Sequence, residues 1–299
     1  MIRHSFLLAF LCLGLLACTG RGLPVENGDS KAQSSGSAYI QNKGSDTMVN
    51  LALAWAEEYQ REHPNVGVSV TGGGSGTGLS ALMNGTVDIA NASRAIQPQE
   101  VSLAKQEGFT PIEFIVARDA IGVIVNPHNP VRQLTLQQLS KIFRGEYTNW
   151  QQVGGEDRPI VRISRETNSG THVYFLETVV RLGSSTDQSI FSPDTLLLPS
   201  SEGIIAEVSD NPNAIGYDGL GYITAQVKTI AVSRDDDSPY ILPSVKTAND
   251  KSYPIARDLY MYTHGQPQGQ VKDYIDWVHT QAAQTIVAHL GFIPAPGKP

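Results

Sequence analysis

The 299-residue chain has only two cysteines, Cys12 and Cys18, and both lie in its first 18 positions. Once such a leader is removed no thiol is left to pair, so disulfides are excluded. Charge is sparse as well: charged residues make up 17% and aromatics 7%, against 40% apolar residues. That balance argues against intrinsic disorder and fibrous repeats and predicts a globule. The chain has no run of Lys or Arg, and 22 basic residues face 29 acidic ones for a formal charge of −7. Nonspecific nucleic-acid binding, which rests on phosphate neutralisation over a broad surface, is disfavoured. A small anion is not excluded, because an enclosed ligand responds to the local field of its cleft. None of the seven histidines stands at metal-ligand spacing, and Asp235-Asp236-Asp237 reads as a solvated loop. No metal or cofactor is expected. The length exceeds what one core ordinarily fills and predicts two domains or lobes.

At the N-terminus Arg3 and His4 precede an apolar run, Phe6 to Leu16, of about 11 residues, too short to span a bilayer and patterned as a signal peptide. The run ends in Leu15-Leu16-Ala17-Cys18, which resembles the lipobox of bacterial lipoproteins. The expectation is a signal peptide over 1–17 and acylation of the Cys18 thiol; an ordinary secretory signal with a chance cysteine is the alternative. Without Arg3 the mature chain keeps 21 basic against 29 acidic residues, a formal −8. Acyl chains on Cys18, palmitate among them, would anchor the domain to a membrane without a transmembrane helix. Residues 18–37 then comprise the lipidated Cys18 and a flexible tether rich in Gly, Ser and Asn, with a reach of roughly 25 Å. No later segment is apolar enough to span a membrane, and no internal repeat occurs.

From Ala38 onward strand and helix patterns alternate, which predicts an α/β architecture with mostly parallel sheets. Met48, Leu51, Trp55 and Tyr59 fall on one helical face, and Val66, Val68 and Val70 alternate as in a strand. Ile112 to Ala117 and Ile121 to Val125 read as two strands, and Thr135 with Gln138 as a capping box. A helix is expected through Val173, Leu176 and Val180, and a final one from about Gln270 to His289.

Three polar, glycine-bearing segments then fall at turns from a strand's end into a helix: Lys43 to Thr47, Gly72 to Gly78 and Arg165 to Thr171. Such turns present free backbone N–H groups and the positive end of a helix dipole. In open α/β sheets this edge is also where ligands collect. Ser93-Arg94, after the Val87 to Ala92 strand, adds a guanidinium there. Rival motifs fail: a P-loop needs a lysine before Ser/Thr, the dinucleotide fingerprint lacks its distant acidic residue, and a hydrolase elbow would need glycine where Thr77 stands. Plainer readings stay open at each site. The glycines would serve close packing, Ser45, Asp46 and Thr47 would cap a helix, Arg165 would form a surface ion pair, and Ser169-Gly170-Thr171 would only start a helix.

Taken together, Gly44-Ser45-Asp46-Thr47 with Trp55 to Tyr59, Gly74-Ser75-Gly76-Thr77-Gly78, Asp88 to Ala90 with Ser93-Arg94, and Ser164-Arg165 with Ser169-Gly170-Thr171 resemble the phosphate-binding lipoproteins of bacterial phosphate ABC transporters. These belong to the periplasmic binding-protein superfamily. Further landmarks are Ile142-Phe143 through Trp150, Ala214 to Tyr217, and Tyr253-Pro254 through Tyr260. The resemblance implies a two-lobed α/β fold with the ligand cleft between lobes joined by crossover strands, residues 38–126 plus 253–299 forming one lobe and 127–252 the other. It implies a phosphate site made of Ser45, Asp46, Thr47, Gly74, Ser75, Gly76, Thr77, Ser93, Arg94, Arg165, Ser169, Gly170 and Thr171. In some members an aspartate stands where this chain has Arg94 and accepts the proton of hydrogen phosphate; here that role would pass to Asp46. The implied partners are inorganic phosphate, the permease subunits and the membrane through the lipid anchor, with a monomeric, non-enzymic chain. Carriage of another oxyanion such as sulfate or molybdate, an exported phosphate-ester enzyme, and a phosphate sensor or adhesin are the alternatives.

Overall fold

The computed structural model describes residues 38–295, so the expected signal peptide, Cys18 and the tether lie outside the described residues. In the first part of the chain β1 (Ala38–Gly44), α1 (Val49–Glu62), β2 (Val66–Thr71), α2 (Ser75–Met83), β3 (Ile89–Ala92) and α3 (Pro98–Gln106) lead into β4 (Pro111–Val125). The middle part contains β5 (Gln133–Thr135), α4 (Leu136–Phe143), β6 (Val161–Arg165), α5 (Gly170–Phe175), β7 (Leu196–Leu198), α6 (Ser201–Asp210), β8 (Ala214–Gly219), β9 (Lys228–Thr229), β10 (Ala231–Ser233) and α7 (Val245–Asn249). Then β11 (Ala256–His264) returns to the first part, followed by α8 (Gly269–Val278), α9 (Gln281–His289) and β12 (Ile293–Pro294).

Local signals set several of these boundaries. Pro98 sits in the first turn of α3, where its missing N–H costs nothing. The expected capping box opens α4: Thr135 Oγ1 accepts from Gln138 N at 3.1 Å, and Gln138 Oε1 accepts from Thr135 N at 2.9 Å. Three expected boundaries need correction. Residues 112–125 form one continuous strand, β4. The final helix is two, because Thr280 ends the first and caps α9. The helix through Val173 covers only α5 before widening into a π-type turn over Leu176–Val180.

The strand order β2-β1-β3-β11-β4-β8-β6-β7 divides into two parallel trios, β2-β1-β3 and β8-β6-β7. Between them β11 is antiparallel to β3 and β4, and β4 is antiparallel to β8. The sheet is therefore mixed rather than mostly parallel. A chain that leaves one trio along β4 and comes back along β11 beside it must reverse direction.

Each trio carries its own core. Met48, Leu51 and Trp55 of the first helical region bury against Leu259, Tyr274 and Phe292. The Trp55 indole donates to Ala283 O at 2.9 Å, which ties α1 to α9 and brings the C-terminal helices into this lobe. Leu139, Phe143, Phe175 and Tyr217 form the second core, with the Phe175 and Tyr217 rings stacked at 3.6 Å. Along β4, Val116 and Ala117 belong to the first core, and Ile121, Val123 and Val125 to the second. The segment around β11 crosses in the same way, with Tyr253 and Ile255 in the second core and Leu259 and Met261 in the first. Two lobes joined by two crossover strands result, and the loops at the ends of β1, β2, β3 and β6 meet between them.

Candidate binding site

The first loop follows β1. Ser45 donates its backbone N–H to Asn91 O at 2.9 Å, which joins the ends of β1 and β3, and its own hydroxyl is buried with no partner among the described residues. Asp46 points both carboxylate oxygens at neighbouring loops: Oδ1 accepts from Gly73 N at 2.9 Å and Oδ2 from Arg165 Nη2 at 2.8 Å. Thr47, buried, places its hydroxyl 2.8 Å from that of Thr171.

The second loop is the glycine-rich turn. Gly74 takes a left-handed φ of +89° to open α2, and a Cβ there would stand 2.8 Å from Asn168 O. Ser75 is buried; its Oγ accepts from Ser93 N at 3.0 Å and lies 3.4 Å from Ser93 Oγ. Gly76 N donates to Asn168 O at 3.0 Å, while Asn168 Nδ2 donates to Gly73 O at 2.9 Å and reaches Thr77 Oγ1 at 3.4 Å. Asn168, from the second lobe, thus clasps the glycine turn of the first. Close packing accounts for one of the glycines: a Cβ on Gly78 would sit 2.6 Å from Gly44 Cα.

The third loop follows β6. Arg165 is 1% exposed, so the surface ion-pair reading does not apply. Its Nη1 donates to Ser201 Oγ at 2.9 Å and its Nη2 to Pro199 O at 2.8 Å as well as to Asp46, while Nε has no partner among the described residues. Ser169 caps α5, its Oγ accepting from Thr171 N at 3.2 Å, so the helix-start reading holds for that hydroxyl. Gly170 lies where a Cβ would collide with Ser75 Oγ and stand 2.6 Å from Ser93 Oγ. The three loops thus interlock across the lobes, Gly170 against Ser75 and Ser93, Thr171 against Thr47 and Arg165 against Asp46.

Arg94 does not join them. Its two Nη groups donate to Glu100 at 2.8 and 2.7 Å, and Nη1 also donates to Ala95 O at 3.0 Å. Glu100 is already fixed there by accepting from Gln97 N at the start of α3. The guanidinium expected at the site is thus paired with Glu100, its Nε without a partner among the described residues, while Ser93 reaches Ser75. Asp46 accepts from Gly73 and Arg165 with one lone pair of each oxygen, which leaves each oxygen a second lone pair.

Two further carboxylates stand behind the loops. Asp218 Oδ1 accepts from Ser201 Oγ at 3.0 Å, extending the Arg165 network inward, and burial pushes its carboxyl up to about 6 with Arg165 working in the opposite sense. Asp119, wholly buried, is also pushed up by burial, against the pull of Arg257 at 3.0 Å. Among the described residues no cluster of His, Cys, Asp or Glu suits a metal ion.

A PBP superfamily domain profile matches residues 29–281. The phosphate-binding protein PstS of Pseudomonas aeruginosa PAO1 is 32% identical over 279 residues, covering 88% of this chain and 84% of its own. The chain belongs to the PstS family of the PBP superfamily. The phosphate-binding protein PstS of Bacillus subtilis 168, also 32% identical, covers 90% of this chain and 85% of its own. A solved structure described as a phosphate ABC transporter substrate-binding protein with bound phosphate, from Clostridium perfringens, superimposes with a TM-score of 0.77 at 29% identity. It covers 86% of this chain and all of its own. The two-lobed α/β architecture is the one expected for this family.

Sequence spacing does not point to Asn168, Ser201, Asp218, Asp119 or Arg257. Asn168 lies inside a quoted loop, but nothing in its type sets it apart from a capping residue. Asp119 and Arg257 are 138 positions apart and become neighbours only through strand pairing. One signal exists: Arg118-Asp119 interrupts an otherwise apolar run, which marks a buried charge as readily as a strand break.

Proposed function

We propose that this chain is the inorganic-phosphate-capturing component of a phosphate ABC import system, a carrier and not an enzyme. The observation that carries the reading is that two of the buried donors without a partner among the described residues, Ser45 Oγ and Arg165 Nε, belong to the candidate ligand loops of opposite lobes. Buried polar groups are almost always satisfied, so such donors call for an acceptor that the chain itself does not supply. A tetrahedral oxyanion fits them in the company of the buried hydroxyls of Thr47, Ser75, Ser93 and Thr171. The relatives named for phosphate binding identify which oxyanion.

The ligand set on this reading is Ser45, Thr47, Ser75, Arg165 and the Ser169-Gly170-Thr171 turn, lined by Gly74, Gly76, Thr77 and Ser93. Asp46 orients Arg165, and Arg94 is left out. Hydrogen bonds to a charged group contribute about 1.5–3 kcal/mol each, so a handful exceeds the ~8 kcal/mol of a micromolar site and the surplus offsets desolvation of the anion. Capture proceeds by closure: phosphate enters the open cleft, the lobe of residues 127–252 closes on that of 38–126 and 253–299, and the closed monomer docks on the permease. Export by the 1–17 leader and acylation of Cys18 would place it at a membrane surface; among the described residues no helix is long and apolar enough to cross one.

Equilibrium dialysis of the unfolded, ligand-stripped and refolded chain against labelled phosphate tests this. Saturable uptake of one phosphate per chain, lost in Arg165→Ala, is expected; uptake unaffected by Arg165→Ala would place the site elsewhere. Mass spectrometry of the membrane-extracted protein tests the anchor: acyl mass on an N-terminal Cys18 is expected, and an unmodified chain beginning elsewhere contradicts it.

A further inference from the structure

β4 and β11 are the strands that pass between the two cores, and at the crossing point Arg257 is the cross-strand partner of Asp119. Asp119 is 0% exposed and Arg257 6%. One nitrogen of this buried guanidinium serves three acceptors: Nη2 lies 3.0 Å from Asp119 Oδ2, 3.0 Å from Thr171 Oγ1 and 3.4 Å from Thr47 Oγ1. Asp119 Oδ1 in turn accepts from Leu220 N at 3.1 Å, just beyond β8. The four side chains therefore join both crossover strands to one ligand loop from each lobe.

These links differ in what happens to them when the cleft opens. Arg257 and Asp119 ride on adjacent paired strands and stay together. Thr47 precedes α1 in the first lobe and Thr171 lies in α5 of the second, so separation of the lobes parts their 2.8 Å contact and takes at least one hydroxyl away from Arg257. That guanidinium already has two buried nitrogens, Nε and Nη1, without a partner among the described residues. Removing an acceptor from a buried charge is costly, and the cost falls on the open form.

We infer that Arg257, with Asp119 as its counter-charge, is a positioning residue that holds the cleft shut around its ligand by bridging Thr47 and Thr171. The inference rests on the proposed phosphate binding and adds to it the group that governs release. Encounter takes place at the open cleft, before the bridge forms, so the bridge acts on dissociation and leaves association alone.

Stopped-flow measurement of phosphate association and dissociation tests it on the whole chain, the Arg257→Gln/Asp119→Asn variant, which removes both buried charges together, and Arg257→Lys. Arg257→Lys keeps the buried charge beside Asp119 but loses the planar fork that reaches both hydroxyls, and it decides the matter if the double variant does not fold. Dissociation about tenfold faster with association changed less than about twofold is expected, a loss of roughly one hydrogen bond to a charged group. Unchanged dissociation in the folded variants, or a change confined to association, overturns the inference. If the unaltered chain gives no phosphate-dependent signal, the parent reading falls and takes this one with it, a result told apart because the defect then precedes any substitution.

Discussion

Arg165 Nη2 meets Asp46 Oδ2 at 2.8 Å across 119 positions of sequence and across the cleft between the lobes. The pair does two things at once. It neutralises part of a guanidinium that is 1% exposed, and it fixes the orientation in which Nε is left free. Asp46 itself is only partly buried, with a side chain 21% exposed, so the bond's main contribution is directional. Asp46→Ala is expected to weaken phosphate binding about tenfold without unfolding the chain, because Arg165 keeps Ser201 and Pro199 as acceptors but loses its link to the first lobe. Paired affinity and thermal-melt measurements check this; an unchanged affinity would remove Asp46 from the site.

Gly170 offers a sharper steric test. A Cβ at this position collides with Ser75 Oγ and comes within 2.6 Å of Ser93 Oγ, both of the opposite lobe. The backbone there is ordinary helix, so alanine costs nothing locally and affects only the closed arrangement. Gly170→Ala should melt like the parent chain in the absence of ligand yet bind phosphate at least tenfold more weakly, an order of magnitude set by overpacking costs of about 1–3 kcal/mol.

Asn168→Ala should act more mildly. It deletes the 2.9 Å bond from Nδ2 to Gly73 O while the backbone bond from Gly76 N to Asn168 O remains. Loss of one exposed neutral hydrogen bond, about 0.5–1.5 kcal/mol, predicts a roughly two- to tenfold faster phosphate release, readable by displacement with unlabelled phosphate.

The buried carboxylates make stability depend on pH in a defined direction. Asp218 is raised from 3.8 to about 6 in the fold, so between those values the folded chain holds a proton that the unfolded chain releases. Stability therefore falls as pH rises through that window, by about 3 kcal/mol, and is level above it. Asp119, also raised by burial, acts in the same sense. Exposed carboxylates that are lowered, such as Asp194, Asp235 and Asp250, lose their contribution only as pH falls below about 4, a separate window. Denaturant melts of the ligand-free chain at stepped pH should show the fall, and Asp218→Asn should reduce it, leaving the part that Asp119 contributes.

Much of this was open to reading in the chain. The periods of Leu51, Trp55 and Tyr59 and of Val66, Val68 and Val70, together with the Thr135–Gln138 box, specify local structure by short-range chemistry, and the polar strand-end loops place the ligand edge. What sequence spacing does not carry is pairing between distant segments. The antiparallel return of β11 beside β4 brings Arg257 to Asp119, and Glu100, needed at the start of α3, captures Arg94 before it can reach the cleft. An arginine next to a candidate loop looks the same in sequence whether it faces a ligand or a carboxylate. The fold brings Asp46 across the cleft to Arg165 and Glu100 of α3 to Arg94.

The central claim is that the closed cleft holds one phosphate through neutral donors and Arg165, and calorimetric titration of the ligand-stripped chain with phosphate and, separately, with sulfate tests it most directly. A single phosphate site of micromolar affinity or tighter is expected, with sulfate, which at neutral pH has no proton to offer the Asp46 carboxylate, bound far more weakly. No heat of binding with millimolar phosphate, or equal affinity for the two anions, would contradict it.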